Sequence, residues 1–230
     1  MIYLFPMTVP VDIHTHHLPQ EAGTAIVNCY PEAFVPRAGG WYSVGIHPWR
    51  INECLRMSLQ DSVSVVRQEA ERLLTKELAN HPQVLAIGEA GLDKLADAPL
   101  SVQVEIFEYQ ARLAEEVGKP LVIHLVKAVD ELLRLKQAVR PSVPWIIHGF
   151  RGKAVLAEEY LRHGFYLSFG EKYQEEALRR VPVHRLFVET DESMVPVDAL
   201  YERAAGVRGV PVKEFRDAVQ GNIGKVFFER

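Results

Sequence analysis

Near the N-terminus, Val11-Asp12-Ile13-His14-Thr15-His16-His17 sets imidazoles two residues apart in a stretch with strand character, its β-branched Val11 and Ile13 alternating with polar residues. Side chains two apart on a strand share a face, so His14 and His16 project together with Asp12 behind them. Two imidazoles on one face can grip one divalent ion. By itself such a pair also reads as a polar strand end with surface histidines. The rest of the chain separates the two readings. Glu89, His124, His148 and Asp191 each close a short apolar run, and His47 closes another. A lone His after an apolar run is usually a satisfied core group, but several at one rim point to a metal site.

The charges of that set suit two metals. Two carboxylates, Glu89 and Asp191, with neutral His14, His16, His124 and His148, leave two divalent ions net positive even with a hydroxide between them. That favours an anionic substrate. Such ions lower the pKa of bound water towards ~7, and a pair can stabilise both the attacking and the leaving oxygen. Glu89 has two oxygens with which to bridge. A mononuclear zinc is the alternative, with some of these residues moved behind the ligands. Asp191 is the expected general base, a purely structural carboxylate being the other reading. Glu189 and Asp12 lie on the same faces and are placed to hydrogen-bond ligand histidines, or else are core polar groups. His47 either contacts substrate or packs under Pro48 and Trp49. Lys127 and Arg151 follow strand ends and offer positive charge to phosphates, as do Lys153 and Lys172; isolated cations are also ordinary surface groups. Trp41, Trp49 and Tyr173 can stack bases or simply pack.

One rim requires one fold. Short apolar runs at Ala25–Cys29, Trp41–Pro48, Val84–Glu89, Leu121–His124, Trp145–His148, Phe165–Phe169 and Arg185–Asp191 follow the first strand. Amphipathic helical stretches lie between them: Met57–Asn80, Leu100–Val117 ended by Gly118 and Pro120, Val129–Val139 and Lys153–His163. The strand at Val84 is expected to stop at Ala90-Gly91. Near-continuous apolar strands alternating with helices predict an α/β fold, a (β/α)8 TIM-type barrel of 1–230 as a single domain with short loops. Catalytic residues of that fold sit at the C-terminal strand ends. A doubly wound open sheet is disfavoured because no Gly-rich phosphate loop follows the first strand.

The bulk properties narrow the partners. The 230 residues are 48% hydrophobic and 24% charged, with a formal net charge of -4. A protein that holds nucleic acid by a broad basic surface usually carries net positive charge, so any such binding here is expected to be local. Two cysteines, Cys29 and Cys54, are too few for a disulfide scaffold and suit a reducing cytoplasm. Met1–Pro6 does not read as a secretory leader, and no apolar run is long enough to span a membrane.

At this point the sequence resembles the TatD family of metal-dependent hydrolases. The resemblance is carried by Asp12-Ile13-His14-Thr15-His16, Gly45-Ile46-His47-Pro48, Ala86 to Asp93, Phe107-Glu108-Tyr109-Gln110, Lys119 to His124, Ile147-His148-Gly149-Phe150, Glu189-Thr190-Asp191 and Gly221-Asn222 to Phe227-Phe228. It implies that His14, His16, Glu89, His124, His148 and Asp191 ligate metal. It further implies hydrolysis of phosphodiesters such as DNA ends, requiring a divalent cation, with Mg, Zn or Mn the candidates. Separately, a monomer or small homo-oligomer is expected. The rim departs from the family pattern at Lys127, where an Arg and an acidic residue are usual nearby, at Arg151, and at Glu192-Ser193 after Asp191. Two other readings stay open: a metal-dependent amide or ester hydrolase, including deacylation of mischarged tRNA, and a non-catalytic metal-binding barrel.

Overall fold

The computed structural model describes residues 9–54 and 63–229. Met1–Pro6 and the Met57–Ser62 portion of the expected long helix lie outside the described residues. The described residues form eight strands: β1 (Asp12–Thr15), β2 (Ala25–Cys29), β3 (Trp41–Val44), β4 (Val84–Asp93), β5 (Leu121–Val126), β6 (Trp145–Ile147), β7 (Tyr166–Phe169) and β8 (Leu186–Val188). They form one sheet in chain order. The pairs β1 with β2, β4 with β5, β6 with β7 and β7 with β8 are parallel. Thr15 bridges Asp191, just past β8, in the same parallel sense. The connecting helices are α1 (Ile51–Cys54), α2 (Val63–Leu73), α3 (Lys76–Ala79), α4 (Leu100–Val117), α5 (Val129–Val139), α6 (Ala154–Arg162), α7 (Glu175–Arg180), α8 (Val197–Arg208) and α9 (Val212–Ile223). This is the (β/α)8 barrel fold expected from the alternation of strand and helix.

The chain divides into two compact units, one of Met1–Val27, Pro36–Tyr42 and Ile146–Arg230, the other of Asn28–Val35 and Ser43–Trp145. In the first unit β1 is buried throughout, because Ile13 packs on one side while His14 turns to the other. Tyr201 of α8 donates its hydroxyl to the Val11 carbonyl at 2.7 Å, tying α8 to the entry of β1. Phe187 of β8 meets Phe227 edge-on, with ring centroids 5.8 Å apart.

In the second unit α4 follows its apolar stripe, burying Val102, Ile106, Tyr109 and Leu113. It ends at Gly118, whose φ of 65° is left-handed and costs glycine little. Two expectations are corrected here. The strand beginning at Val84 does not stop at Ala90-Gly91: Ala90 to Asp93 continue the ladder against Ile123 to Val126. Glycine, which reads as a stop, is there because the strands approach so closely; a Cβ on Gly91 would lie 2.0 Å from the His124 carbonyl oxygen. The long helix expected to end near Asn80 is broken at Thr75, which has extended backbone and caps α3 by accepting from Leu78 N at 3.2 Å. Buried Lys119 then donates to the Ala79 and His81 carbonyls at the end of that turn.

The approach to β6 is fixed by one carboxylate. Glu115 accepts from Ser142 N, Ser142 Oγ and Val143 N, each at 2.8 Å. Burial works to raise its pKa, but these bonds outweigh it and hold the carboxyl below its ordinary range. Its contribution is therefore complete above the unfolded-state pKa of about 4.3 and fades as pH falls through the lower folded value. Glu115→Gln is expected to lose about 1–2 kcal/mol at neutral pH, a modest figure because the group is partly solvated. The gap from wild type should begin to narrow as pH falls below about 4.3 and close once pH is below the lower folded value, as read from urea midpoints across pH.

Candidate functional site

In the first unit the ends of β1, β6 and β8 bring four donors together. His14 is fully buried, His148 follows β6, and Asp191 follows β8. His14, His148 and Asp191 each offer a ligand atom, all within 4.8 Å of one another. The His14 and His148 rings lie 4.4 Å apart. Asp191 Oδ1 stands 3.8 Å from His14 Nε2 and 3.5 Å from His16 Nε2. Donors held tetrahedrally at about 2.1 Å from an ion lie about 3.4 Å apart, so the spacing and chemistry of this set fit a divalent ion.

The groups behind these donors are buried carboxylates. Glu189 Oε1 sits 3.3 Å from His148 Nδ1 and accepts from Gly149 N at 2.5 Å, which turns the other ring nitrogen of His148 towards the set. Burial opposes ionisation of Glu189, but His148 and His14 beside it keep its carboxyl below the ordinary range. Asp12 accepts from His14 N, Thr190 N and Thr190 Oγ1, splicing β1 to the end of β8. Burial pushes its carboxyl up to about 7 against those bonds.

In the second unit β3, β4 and β5 supply another set. His47, Glu89 and His124 offer ligand atoms within 4.8 Å of one another. Glu89 Oε1 is 3.2 Å from His47 Nε2 and 3.0 Å from His124 Nδ1. Asn28 brackets Glu89, donating to Oε2 at 3.3 Å and accepting from its main-chain N at 2.9 Å. His47, read from sequence as a substrate contact or a packing residue, lies among these donors. The spacing again fits an ion.

Three further groups in this unit, Asp93, Gln103 and Gln110, position the donors. Asp93 is buried, with Oδ2 3.0 Å from His124 Nε2 and accepting from Trp49 Nε1 at 2.5 Å. Burial would raise its pKa, yet the bonds from His124, Leu95 N and Trp49 hold it below the ordinary range. A carboxylate on Nε2 leaves Nδ1 of His124 to face Glu89. Gln103 clamps Asp93 by accepting from its N at 2.7 Å and donating to its carbonyl at 2.9 Å. Gln110 does the same for Ile46, accepting from N at 2.7 Å and donating to O at 3.0 Å. The signal was legible: two glutamines seven apart, two turns of α4, on its buried face. Gln110→Ala strands a buried N–H and C=O next to His47. We expect it to lower stability by about 2–4 kcal/mol, read as a shift in urea midpoint at unchanged m.

The remaining expected contacts divide. Arg151 and Glu192 line a pocket of about 320 Å³ in the first unit, with Gly149, Glu171, Lys172 and Asp191. Lys127 is exposed after β5, with a left-handed φ of 56°. Cys29 is a free thiol whose pKa is pushed up by burial, as an inert cysteine would be; the Cys54 side chain lies outside the described residues.

Fold and donors together define a parallel (β/α)8 barrel protein with histidine–carboxylate sets at its strand ends. The family model for TatD related DNase matches residues 36–227. The chain belongs to that family. It is similar to the uncharacterized metal-dependent hydrolase YabD of Bacillus subtilis, 40% identical over 125 residues that cover 50% of this chain and 49% of YabD. It is 36% identical over 136 residues to the human 3'-5' RNA nuclease TATDN2, covering 54% of this chain and 18% of that protein. The chain thus spans about half the length of YabD and less than a fifth of TATDN2. The crystal structure of YjjV, a TatD homolog from Escherichia coli, shares the fold with a TM-score of 0.72 at 21% identity, covering 95% of this chain and 96% of that one. Among the described residues no helix is long and apolar enough to cross a membrane.

Proposed function

We propose that this protein is a divalent-metal-dependent hydrolase that cleaves phosphodiesters at nucleic-acid ends. The observation that carries the reading is the pair of donor sets at strand ends, His14, His16, His148 and Asp191 in one unit and His47, Glu89 and His124 in the other, in a chain of the TatD related DNase family. Two divalent ions, Mg, Zn or Mn, are proposed, held by His14, His16, Glu89, His124, His148 and Asp191 with His47 beside them. A bound divalent cation supplies Lewis acidity, drawing down the pKa of water and shielding charge on the phosphate. A cytoplasmic monomer or small homo-oligomer completes the proposal.

The chain's own residues do the rest. Asp191 accepts the proton of the attacking water at a carboxylate oxygen. Glu189 fixes the ring of His148 and Asp93 that of His124, so neither donor reorients during turnover. Arg151 offers a two-pronged donor to a phosphate in the pocket beside Asp191. That pocket also carries Glu171, Glu189 and Glu192. Acidic groups outnumber cations there, so a phosphate is repelled unless divalent cations reverse the local sign.

The test is metal analysis of the purified protein, chelation, and restoration with each cation, followed by assays on single-stranded oligonucleotides and on a panel of acyl esters and amides that includes mischarged tRNA. Metal-dependent release of nucleotides supports the reading. Turnover confined to the acyl panel would replace phosphorus with carbonyl carbon as the site of attack. Bound metal without turnover of either class would leave a binding barrel.

A further inference from the structure

We infer that Trp49 and Leu95 form a preset stacking lip for an unpaired nucleobase of the substrate, beside the His47, Glu89 and His124 donors; this rests on the phosphodiester reading above. Both are large apolar side chains left in solvent, Trp49 63% and Leu95 61% exposed, whereas Trp145 is fully buried. Trp49 is nevertheless not a loose surface ring. Its indole N–H donates to Asp93 Oδ2 at 2.5 Å, and its main-chain N donates to His47 Nδ1 at 3.1 Å. The turn Pro48–Arg50 that carries it is closed by Arg50 N donating to the His47 carbonyl at 2.9 Å. Leu95 hangs from the other oxygen of the same carboxylate, its N donating to Asp93 Oδ1 at 2.7 Å.

One buried carboxylate therefore orients three things: the Trp49 ring, the Leu95 main chain and the imidazole of His124, 3.0 Å from Asp93 Oδ2. The Trp49 ring centroid is 6.4 Å from that of His47. Holding the Asp93 carboxylate needs only an N–H, which a smaller donor would supply. What tryptophan adds is an apolar face fixed in place before substrate arrives, so little ordering entropy is lost on contact. Every base has a π-face, so such a platform takes any base, provided the base is not already stacked in a duplex.

The experiment compares two single-stranded oligonucleotides identical except that the terminal nucleotide carries a base in one and a tetrahydrofuran abasic unit in the other. The metal-loaded wild type is expected to prefer the base-bearing strand by about tenfold in kcat/KM. Trp49→Ala should bring that ratio close to one, Trp49→Phe should keep most of it, and Leu95→Ala should lower it in part. The ratio is the readout, since absolute rates also register the lost bond to Asp93. Separately, a base-bearing phosphorothioate strand should quench tryptophan fluorescence, the abasic strand should not, and Trp49→Phe should abolish the quenching. A wild-type ratio near one, or a ratio that survives Trp49→Ala, overturns the lip. If the wild type cleaves neither strand, the phosphodiester reading falls, and the titration decides the lip: quenching by the base-bearing strand alone sustains it, and its absence ends it.

Discussion

Asp191→Asn is expected to lower metal-supported turnover by about a thousandfold while leaving the thermal midpoint within about 2 °C of wild type. The two halves of that outcome have different causes. Asp191 has φ of 56°, a left-handed conformation that Asn and Asp tolerate better than other side chains. Its main chain is held by donation of its N to the His14 carbonyl at 2.9 Å and by acceptance from His16 N at 3.0 Å. Asn keeps both the backbone preference and the volume, so the splice between β1 and the end of β8 survives. It loses the negative charge facing His14 and His16 and, with it, the carboxylate oxygen proposed to take the water's proton. Asp191→Ala removes the same chemistry but also strains the backbone by about 1–2 kcal/mol. A melting order of wild type close to Asn and above Ala, with turnover low in both variants, separates the chemical role from the structural one. An Asn variant of full activity would remove Asp191 from the reaction.

The fold was legible because parallel strands of this kind are written as apolar runs separated by helical stretches, and those survive any error in their ends. The donors were legible for the same reason: His124, His148 and Asp191 each close a run, and the C-terminal ends of strands are where this fold keeps its chemistry. Less visible were the groups that aim the donors. Asp93 lies four residues beyond Glu89, past a glycine that reads as a stop, and only the continued pairing of Ala90 to Asp93 with β5 brings it to His124. Gln103 and Gln110 look like surface polar residues until their helix face is known to be buried. Strand alternation sets Asp12 behind the imidazoles, but its bonds to His14 N, Thr190 N and the Thr190 hydroxyl depend on a pairing with the end of β8 that the local sequence does not show. The short helix α7 has too few residues to show a period, and the break at Thr75 is set by a cap that interrupts an otherwise continuous apolar stripe.

Gly91→Ala should be the most damaging single methyl that can be added to the second unit. The new Cβ would lie 2.0 Å from the His124 carbonyl oxygen and 2.8 Å from both its carbonyl carbon and its Cβ. These are backbone atoms and the first side-chain atom, so no rotamer change relieves the contact. Gly91 pairs with His124 in the ladder, and relief requires β4 and β5 to separate at that pair. Separation breaks the main-chain bonds on either side and moves His124 away from both Glu89 and Asp93. Ordinary overpacking costs about 1–3 kcal/mol where neighbours can shift. Here they cannot, and a loss above about 4 kcal/mol, a large share of the total stability of a typical domain, is expected. That corresponds to a fall of about 10 °C or more in the thermal midpoint, or to insoluble protein. Gly118→Ala is the control: its φ of 65° imposes a left-handed penalty of about 1–2 kcal/mol, but nothing lies within 4 Å of the added methyl. A Gly91→Ala protein as stable as Gly118→Ala would mean that β4 and β5 do not pair at Gly91 and His124. His124 would then lose the strand register that brings it to Glu89.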